Sequence, residues 1–401
     1  MSRRQLILRA TALGCSAAAS PLLTPVTMAR AATDHRLVVI ILRGGMDGLA
    51  TIQPYGDPGF AGLRPEHGPA FGDHDLDGFF ALNNNLGNLM PLWQAGELAF
   101  AHAVSTPYRD RRSHFDGQDL LEAGLGNDHA GRRHNDGWLN RFLQTLPGAA
   151  RETALAVGRR HMLILKGQAP AMSWAPEARL ALSPAAEALL AHIYHDDDLF
   201  REAFDQAQHL SAEIFGDQIG DEEDMMQAMA DAMASTVRNE RHNLTAFLGE
   251  QLQGDTRIVS FSLGGWDTHR NQTGGLRRAL QQFSGTLLGL RRALGAVWRQ
   301  TTVVAMTEFG RTARLNGSRG TDHGTGGAMI FAGGALRGGR VLGQWPGLGE
   351  GDLYADRDLA ATGDVRAYAA WLLAGLYGTD RAVLEGEIFP GLDLGTNPNL
   401  T

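Results

Sequence analysis

Several short stretches of this chain are apolar at consecutive rather than alternate positions. Leu37-Val38-Val39-Ile40-Ile41-Leu42 is the clearest. Glu97 to Val104, Thr301 to Met306 and Ala328 to Ala332 are similar, and Arg257 to Leu263 is an apolar run interrupted by Ser260 and Ser262. Short runs of this kind, several of them rich in β-branched residues, predict strands buried on both faces. Residues 153–175 read as further short strands. Between these runs the period changes. Asn84 to Ala95 places Leu86, Leu89, Met90 and Trp93 on one helical face. Helices are also predicted from near Ser113, over Asp136 to Leu143, over 274–298 and over Asp364 to Tyr377. Alternation of strand and helix predicts an α/β fold, with a mostly parallel central sheet and helices on both faces. Residues 184–253 differ: they are acidic, rich in Met and Ala, and poor in β-branched residues. Asp221-Glu222-Glu223-Asp224 marks a helix start there. This span predicts a helical insertion, or equally a long crossover.

The first 31 residues have another organisation. Ser2-Arg3-Arg4-Gln5-Leu6-Ile7-Leu8 is a twin-arginine motif, an apolar stretch runs from Ala10 to about Thr27, and Ala29-Arg30-Ala31 is a small-x-small cleavage site. The competing reading is a membrane anchor. Pro21, Pro25 and an apolar length short of roughly 20 residues argue against a stable membrane span. Lipidation at Cys15 is disfavoured by Ala12 and by the better cleavage site downstream. The expectation is a signal peptide over 1–31, a mature domain over 32–401, the twin-arginine translocase as export partner, and a periplasmic or extracellular location.

Cys15 is the single cysteine, so a mature chain beginning at Ala32 has neither disulfides nor thiolate ligands. The net charge is −8 for 401 residues, and loss of Arg3, Arg4, Arg9 and Arg30 would bring it to −12. That balance argues against nucleic acid as a partner on electrostatic grounds. Any metal must therefore be held by His, Asp or Glu.

Such residues gather in the loops after the predicted strands, where open parallel sheets place their ligands. Asp267 and His269 in Gly264-Gly265-Trp266-Asp267-Thr268-His269 are two apart, so both face one way in an extended segment. Glu308 directly follows the 301–306 run; pairing with Arg311 or Arg314 is its plainer use. Asp322-His323 is flanked by Gly320, Gly324, Gly326 and Gly327, which let backbone approach a ligand closely. Asp47 follows the first strand as a further metal ligand or as a turn residue before Gly48. Ser113 lies at a helix start, as a nucleophile or anion site or simply as an N-cap. Arg112, with Arg109 and Arg111, adds the positive charge that an oxyanion requires. His102, His129, His134, His195 and His242 read as ordinary surface or satisfied core histidines.

Taken in order, the twin-arginine start, Leu42-Arg43-Gly44-Gly45-Met46-Asp47-Gly48, Arg112-Ser113-His114-Phe115-Asp116, Gly265-Trp266-Asp267-Thr268-His269, Glu308-Phe309-Gly310-Arg311-Thr312 and Gly320-Thr321-Asp322-His323-Gly324 resemble a family of exported bacterial proteins defined only as a domain of unknown function, DUF1501. That family is in turn distantly similar to the alkaline phosphatase and sulfatase superfamily. The resemblance implies an alkaline-phosphatase-like fold, with Ser113 at the nucleophile position. It implies metal ligation by Asp267, Glu308 and His323, and a divalent cation such as zinc, calcium or manganese. The chain departs from the superfamily pattern at Arg43, where a metal Asp stands, and at Asn271 and Phe309, where metal histidines stand. The expected function is an exported metal-dependent hydrolase of small anionic phosphate or sulfate esters with an altered metal site: Ser113 and Arg112 catalytic, and Asp47, Asp267, His269, Glu308, Asp322 and His323 metal-binding. The alternative is a non-catalytic periplasmic binding or assembly protein on a hydrolase-like fold.

Overall fold

The computed structural model describes residues 34–67, 74–109, 112–131, 134–158, 162–175 and 244–401. The signal segment and residues 184–243 of the expected insertion lie outside them. Its last part, 244–253, is helical.

A nine-stranded sheet forms the centre. In chain order its strands are β1 (Arg36–Leu42), β2 (Leu98–Ser105), β3 (Ala154–Val157), β4 (Met172–Trp174), β5 (Ile258–Leu263), β6 (Thr301–Met306), β7 (Gly327–Ala332), β8 (Arg340–Leu342) and β9 (Gly363–Asp364). The spatial order is β8-β2-β7-β6-β1-β5-β3-β4, with β9 also paired to β2. β1 lies parallel to β5 and β6, in registers that pair Ile40 with Phe261 and with Ala305. β7 alone runs antiparallel, against both β6 and β2. All seven residues of β1 are buried, as its unbroken apolar run predicts for a strand covered on both sides.

The alternation of side chains along β1 divides the core in two. Val38, Ile40 and Leu42 face α3 (Gln272–Leu294) through Leu276, Leu280, Phe283, Leu287 and Leu290. Leu37, Val39 and Ile41 face α2 (Trp138–Thr145) and α4 (Val365–Tyr377) through Phe142, Leu139, Leu372 and Leu373. The architecture is mixed α/β, with a large, mostly parallel sheet between helices.

Two expected helices change form. Asn84 to Ala95 is a 3-10 turn over Asn84–Leu89 and then a short α-helix over Met90–Gln94. Asn83 caps it and Pro91 stands in its first α-turn; the apolar stripe still buries Leu86, Leu89, Leu92 and Trp93. The 274–298 helix begins two residues earlier, capped by Asn271, and its tail over Gly295–Gln300 is 3-10.

The reversed direction of β7 brings distant loops together. β1, β2, β5 and β6 end at one edge of the sheet, and β7 starts there. The segment before β7 therefore meets the segments after the other four strands.

Candidate functional site

At that edge, three imidazoles and one carboxylate face one another. His269 Nε2 is 3.0 Å from His323 Nε2 and 3.1 Å from Asp267 Oδ1. His323 Nε2 is 3.3 Å from Asp267 Oδ1, and His114 Nε2 is 3.3 Å from Asp267 Oδ2. His114, Asp267 and His323 each offer a ligand atom within 4.8 Å of the others. Around a tetrahedral zinc ion with bonds near 2.0–2.1 Å, donor atoms stand about 3.3 Å apart. The separations here fit such a shell.

The opposite ring nitrogens decide which protons are present. His114 Nδ1 lies 2.8 Å from Glu308 Oε1, His269 Nδ1 lies 3.0 Å from Asp322 Oδ1, and His323 Nδ1 lies 2.8 Å from the Arg112 carbonyl. All three partners are acceptors, so the hydrogen-bond network assigns each Nδ1 as the donor. In the neutral rings the Nε2 lone pairs are then turned together. Two lone pairs at 3.0 Å require a shared proton or a cation between them. His114 Nε2 is buried and has no partner beyond the 3.3 Å contact with Asp267 Oδ2. Carboxylate or carbonyl acceptors behind each ring are the usual second layer of a histidine metal site.

The outer layer is built from backbone turns and buried charge. Glu308, fully buried at the end of β6, accepts at Oε1 from Gly44 N–H at 2.9 Å and Gln118 Nε2 at 3.0 Å as well as from His114. Burial opposes ionisation of Glu308, but the bonds from His114 and Gln118 outweigh it and hold its carboxyl below the ordinary value. The same contact with Glu308, working against burial, raises His114. Burial, with the neighbouring His114 and Arg311 as lesser causes, pushes His323 down despite the bond to the Arg112 carbonyl. For Asp267, burial is outweighed by Arg311, His114 and His269, so its carboxyl also titrates low. Arg311, whose side chain is fully buried, donates from NH1 to Asp267 Oδ1 at 2.7 Å and from Nε to Thr321 Oγ1 at 3.0 Å. The Phe309 ring, buried, lies against His114 and His323 with centroids 5.1 and 4.9 Å away.

The residues expected from the sequence are divided by this arrangement. Asp267, His269 and His323 converge. Glu308 and Asp322 stand one layer out, each behind a histidine. Asp47 is elsewhere in its chemistry: it caps a helical turn through Ala50 N–H, takes Arg64 NH2 at 2.8 Å and takes Gln272 Nε2 at 2.6 Å, so its oxygens are already satisfied. Asp47 reads here as a buried anchor rather than a ligand. Ser113 caps α1 (His114–Ala123), its Oγ accepting from Asp116 N–H at 3.3 Å. The Arg112 carbonyl orients His323, and Arg112 also lines a separate recess. His114 does not stand out in the sequence, although it shares a motif with Ser113; its signal is position alone, at the loop-to-helix junction after β2. The plainer alternative for Glu308, pairing with Arg311 or Arg314, is not seen: Arg311 pairs with Asp267. His102, read as ordinary, is a satisfied core residue: its Nε2 meets the Ile52 carbonyl at 2.9 Å and its Nδ1 accepts from Ala103 N–H at 2.8 Å.

No curated protein matches this chain in sequence. Among solved structures, the lipoteichoic acid synthase LtaP from Listeria monocytogenes is similar at a TM-score of 0.36 and 9% identity, over 89% of this chain and 76% of that one. The C-terminal periplasmic domain of EcEptC from Escherichia coli, in complex with zinc, is similar at a TM-score of 0.33 and 9% identity, over 75% and 73%. BT1596, a 2-O GAG sulfatase, is similar at 0.33 and 10% identity, over 75% and 64%. Likenesses at this level assign no activity. In sequence, residues 89–385 match the family described as "Protein of unknown function (DUF1501)", a span that holds every residue of the histidine–carboxylate cluster, and the chain belongs to that family.

Proposed function

We propose that this protein is a divalent-metal-dependent hydrolase of phosphate or sulfate esters that works after export through the twin-arginine translocase. The observation that carries the reading is the facing set of three Nε2 atoms and one carboxylate, each ring held from behind by an acceptor. Three imidazoles and one carboxylate suit zinc or a similar borderline metal. Calcium prefers shells made of oxygen, which removes it from the expected set.

His114, Asp267 and His323 would hold the ion, with His269 as a fourth donor at the rim, where its side chain is 43% exposed. With His114, Asp267 and His323 bound and His269 standing off at the rim, a position would be left for substrate, as in catalytic zinc sites; all four bound would close the tetrahedral shell. Bound there, the metal would act as a Lewis acid toward an ester oxygen. Glu308 keeps His114 oriented and makes its ring a stronger donor. Arg311 holds Asp267 ionised and balances part of the local negative charge. Ser113, at the start of α1, is the proposed nucleophile; its Oγ accepts from Asp116 N–H in the cap, and coordination to the metal would be what activates its hydroxyl.

One observation favours the non-catalytic alternative. The 2.7 Å pair between Arg311 and Asp267 already supplies a positive charge to the carboxylate. A His269–His323 pair sharing a proton would then complete a site that needs no metal. Elemental analysis of the purified mature protein, with aryl phosphate and aryl sulfate assays, separates the two readings. The hydrolase reading expects bound metal, turnover lost on chelation, and turnover lost in Ser113→Ala. Absence of metal together with unchanged turnover in Ser113→Ala would refute it.

A further inference from the structure

Beside His323, a recess of about 40 Å³ opens between Gly324, Arg109, Arg112, Tyr354 and Asp358. It is tied to the histidine cluster by two hydrogen bonds. The Arg112 carbonyl accepts from His323 Nδ1 at 2.8 Å, and Arg357 NH2 donates to the His323 carbonyl at 2.9 Å. His323 thus lies between two regions of opposite charge. On one side are Asp267, Asp322 and Glu308, of which Asp267 is paired with Arg311 and the other two hold His269 and His114.

The recess has the reverse balance. Its one acid among the described residues, Asp358, is already held by Arg357 NH1 at 3.0 Å and by Thr325 Oγ1 at 3.1 Å. Arg112 is exposed, and among the described residues its charge acts on Asp358 without a hydrogen bond or ion pair to it. Arg109 adds a second guanidinium to the wall, anchored on the Tyr108 carbonyl at 2.8 Å. Among the described residues, Arg112 therefore brings to the wall positive charge beyond the Arg357 that already pairs Asp358. Its volume exceeds that of a single water site and suits a carboxylate or a sulfate-sized group. Phe115, 74% exposed, and Tyr354, 39% exposed, are the exposed large hydrophobic residues among those described. Phe115 is next to His114 in α1, and Tyr354 lines the recess, so an apolar ring has surface to rest on beside both.

We infer that the recess is a second anion subsite, and that the substrate is an ester on a ring that bears a further carboxylate, sulfate or phosphate group. The scissile ester would lie at the histidine cluster and the second anion at Arg112. This inference rests on the hydrolase reading for the word substrate, but not for the binding event. It also moves Arg112 from the developing charge of the ester to the recognition of a neighbouring group.

The test is calorimetric binding of phenyl phosphate and of 2-, 3- and 4-carboxyphenyl phosphate to the mature chain, with zinc and without it. A charge-assisted contact contributes roughly 1.5–3 kcal/mol, so at least one carboxylated isomer should bind ten-fold tighter or more than phenyl phosphate. That advantage should vanish in Arg112→Met. Should Arg112→Met melt early, Asp358→Asn supplies the opposite sign: removal of the wall's own acid should widen the advantage. Equal affinities for all four ligands, or an advantage that survives Arg112→Met, would overturn the subsite. A carboxylate preference in a protein that neither binds zinc nor turns over esters would sink the hydrolase reading and leave the subsite standing. Turnover without any carboxylate preference would do the reverse.

Discussion

His114, at the first position of α1, and His269 and His323, from two loops, are all prepared in the same way. In each, one nitrogen is committed to an acceptor and the other is turned inward. Glu308 contributes to this without touching the inner space. Glu308→Gln should lower zinc affinity about 10–100-fold while the fold persists, because loss of an outer partner of a ligating histidine typically costs that much; competition against a chromophoric chelator measures it. His102 shows the contrasting, purely structural use of the residue. Burial lowers its pKa from 6.5 to about 4. The folded state therefore resists a proton that the unfolded chain accepts, and stability is lost as pH falls from about 6.5 toward 4. The shift corresponds to about 3 kcal/mol. Urea denaturation between pH 7 and pH 4.5 should show this slope in the wild type and a shallower one in His102→Gln. Equal slopes would contradict the assignment. At this scale the sequence was partly legible. Asp267, His269 and His323 stood out because glycines and strand ends surround them. Asp47 stood out for the same reason and misled: a capping Asp before Gly and a ligand look alike until Arg64 and Gln272, distant in sequence, are seen to occupy it.

The strands and their loops explain how these residues meet. β1, β5 and β6 were readable as continuous apolar runs because both faces of the sheet are covered. The antiparallel direction of β7 was not readable, since an apolar run carries no sign of its direction. Yet that direction brings His323, which precedes β7, to the residues just after β5 and β6. The turn after β1 is equally particular. Gly44 has φ +122°, and a Cβ there would meet the Asp267 backbone nitrogen at 2.4 Å. Its own N–H binds Glu308 and its carbonyl takes Arg311 NH1 at 3.2 Å, so one peptide position couples two loops. Gly44→Ala should cost roughly 2 kcal/mol or more from backbone strain and the contact, and should weaken zinc binding together with stability. A variant as stable as the wild type by urea denaturation would show that the loops separate freely. Ser113→Ala tests a different element: loss of the α1 cap should cost about 1 kcal/mol, whereas loss of a nucleophile would remove turnover at unchanged zinc affinity.

Over the whole molecule, one sheet sets a cluster with surplus negative charge beside a recess with surplus positive charge, and His323 joins them. The overall acidity of the chain, −8, conceals this local separation. Family membership was legible from ordered motifs dispersed along the chain. The alternation of runs and helices was enough for the fold class, because each run packs against helices on both sides. The expected insertion over 184–253 lies largely outside the described residues, and among those described no helix is long and apolar enough to cross a membrane. The central claim is that the facing histidines hold a metal. Calorimetric titration of metal-free mature protein with zinc tests it most directly, with His114→Ala, His269→Ala, His323→Ala and, as a control away from the cluster, His129→Ala. A metal centre of this kind predicts one zinc per chain, binding weakened far more than ten-fold in His114→Ala and His323→Ala, less in His269→Ala, and unchanged in His129→Ala. Absence of zinc binding in the wild type, or wild-type affinity in both His114→Ala and His323→Ala, would contradict it.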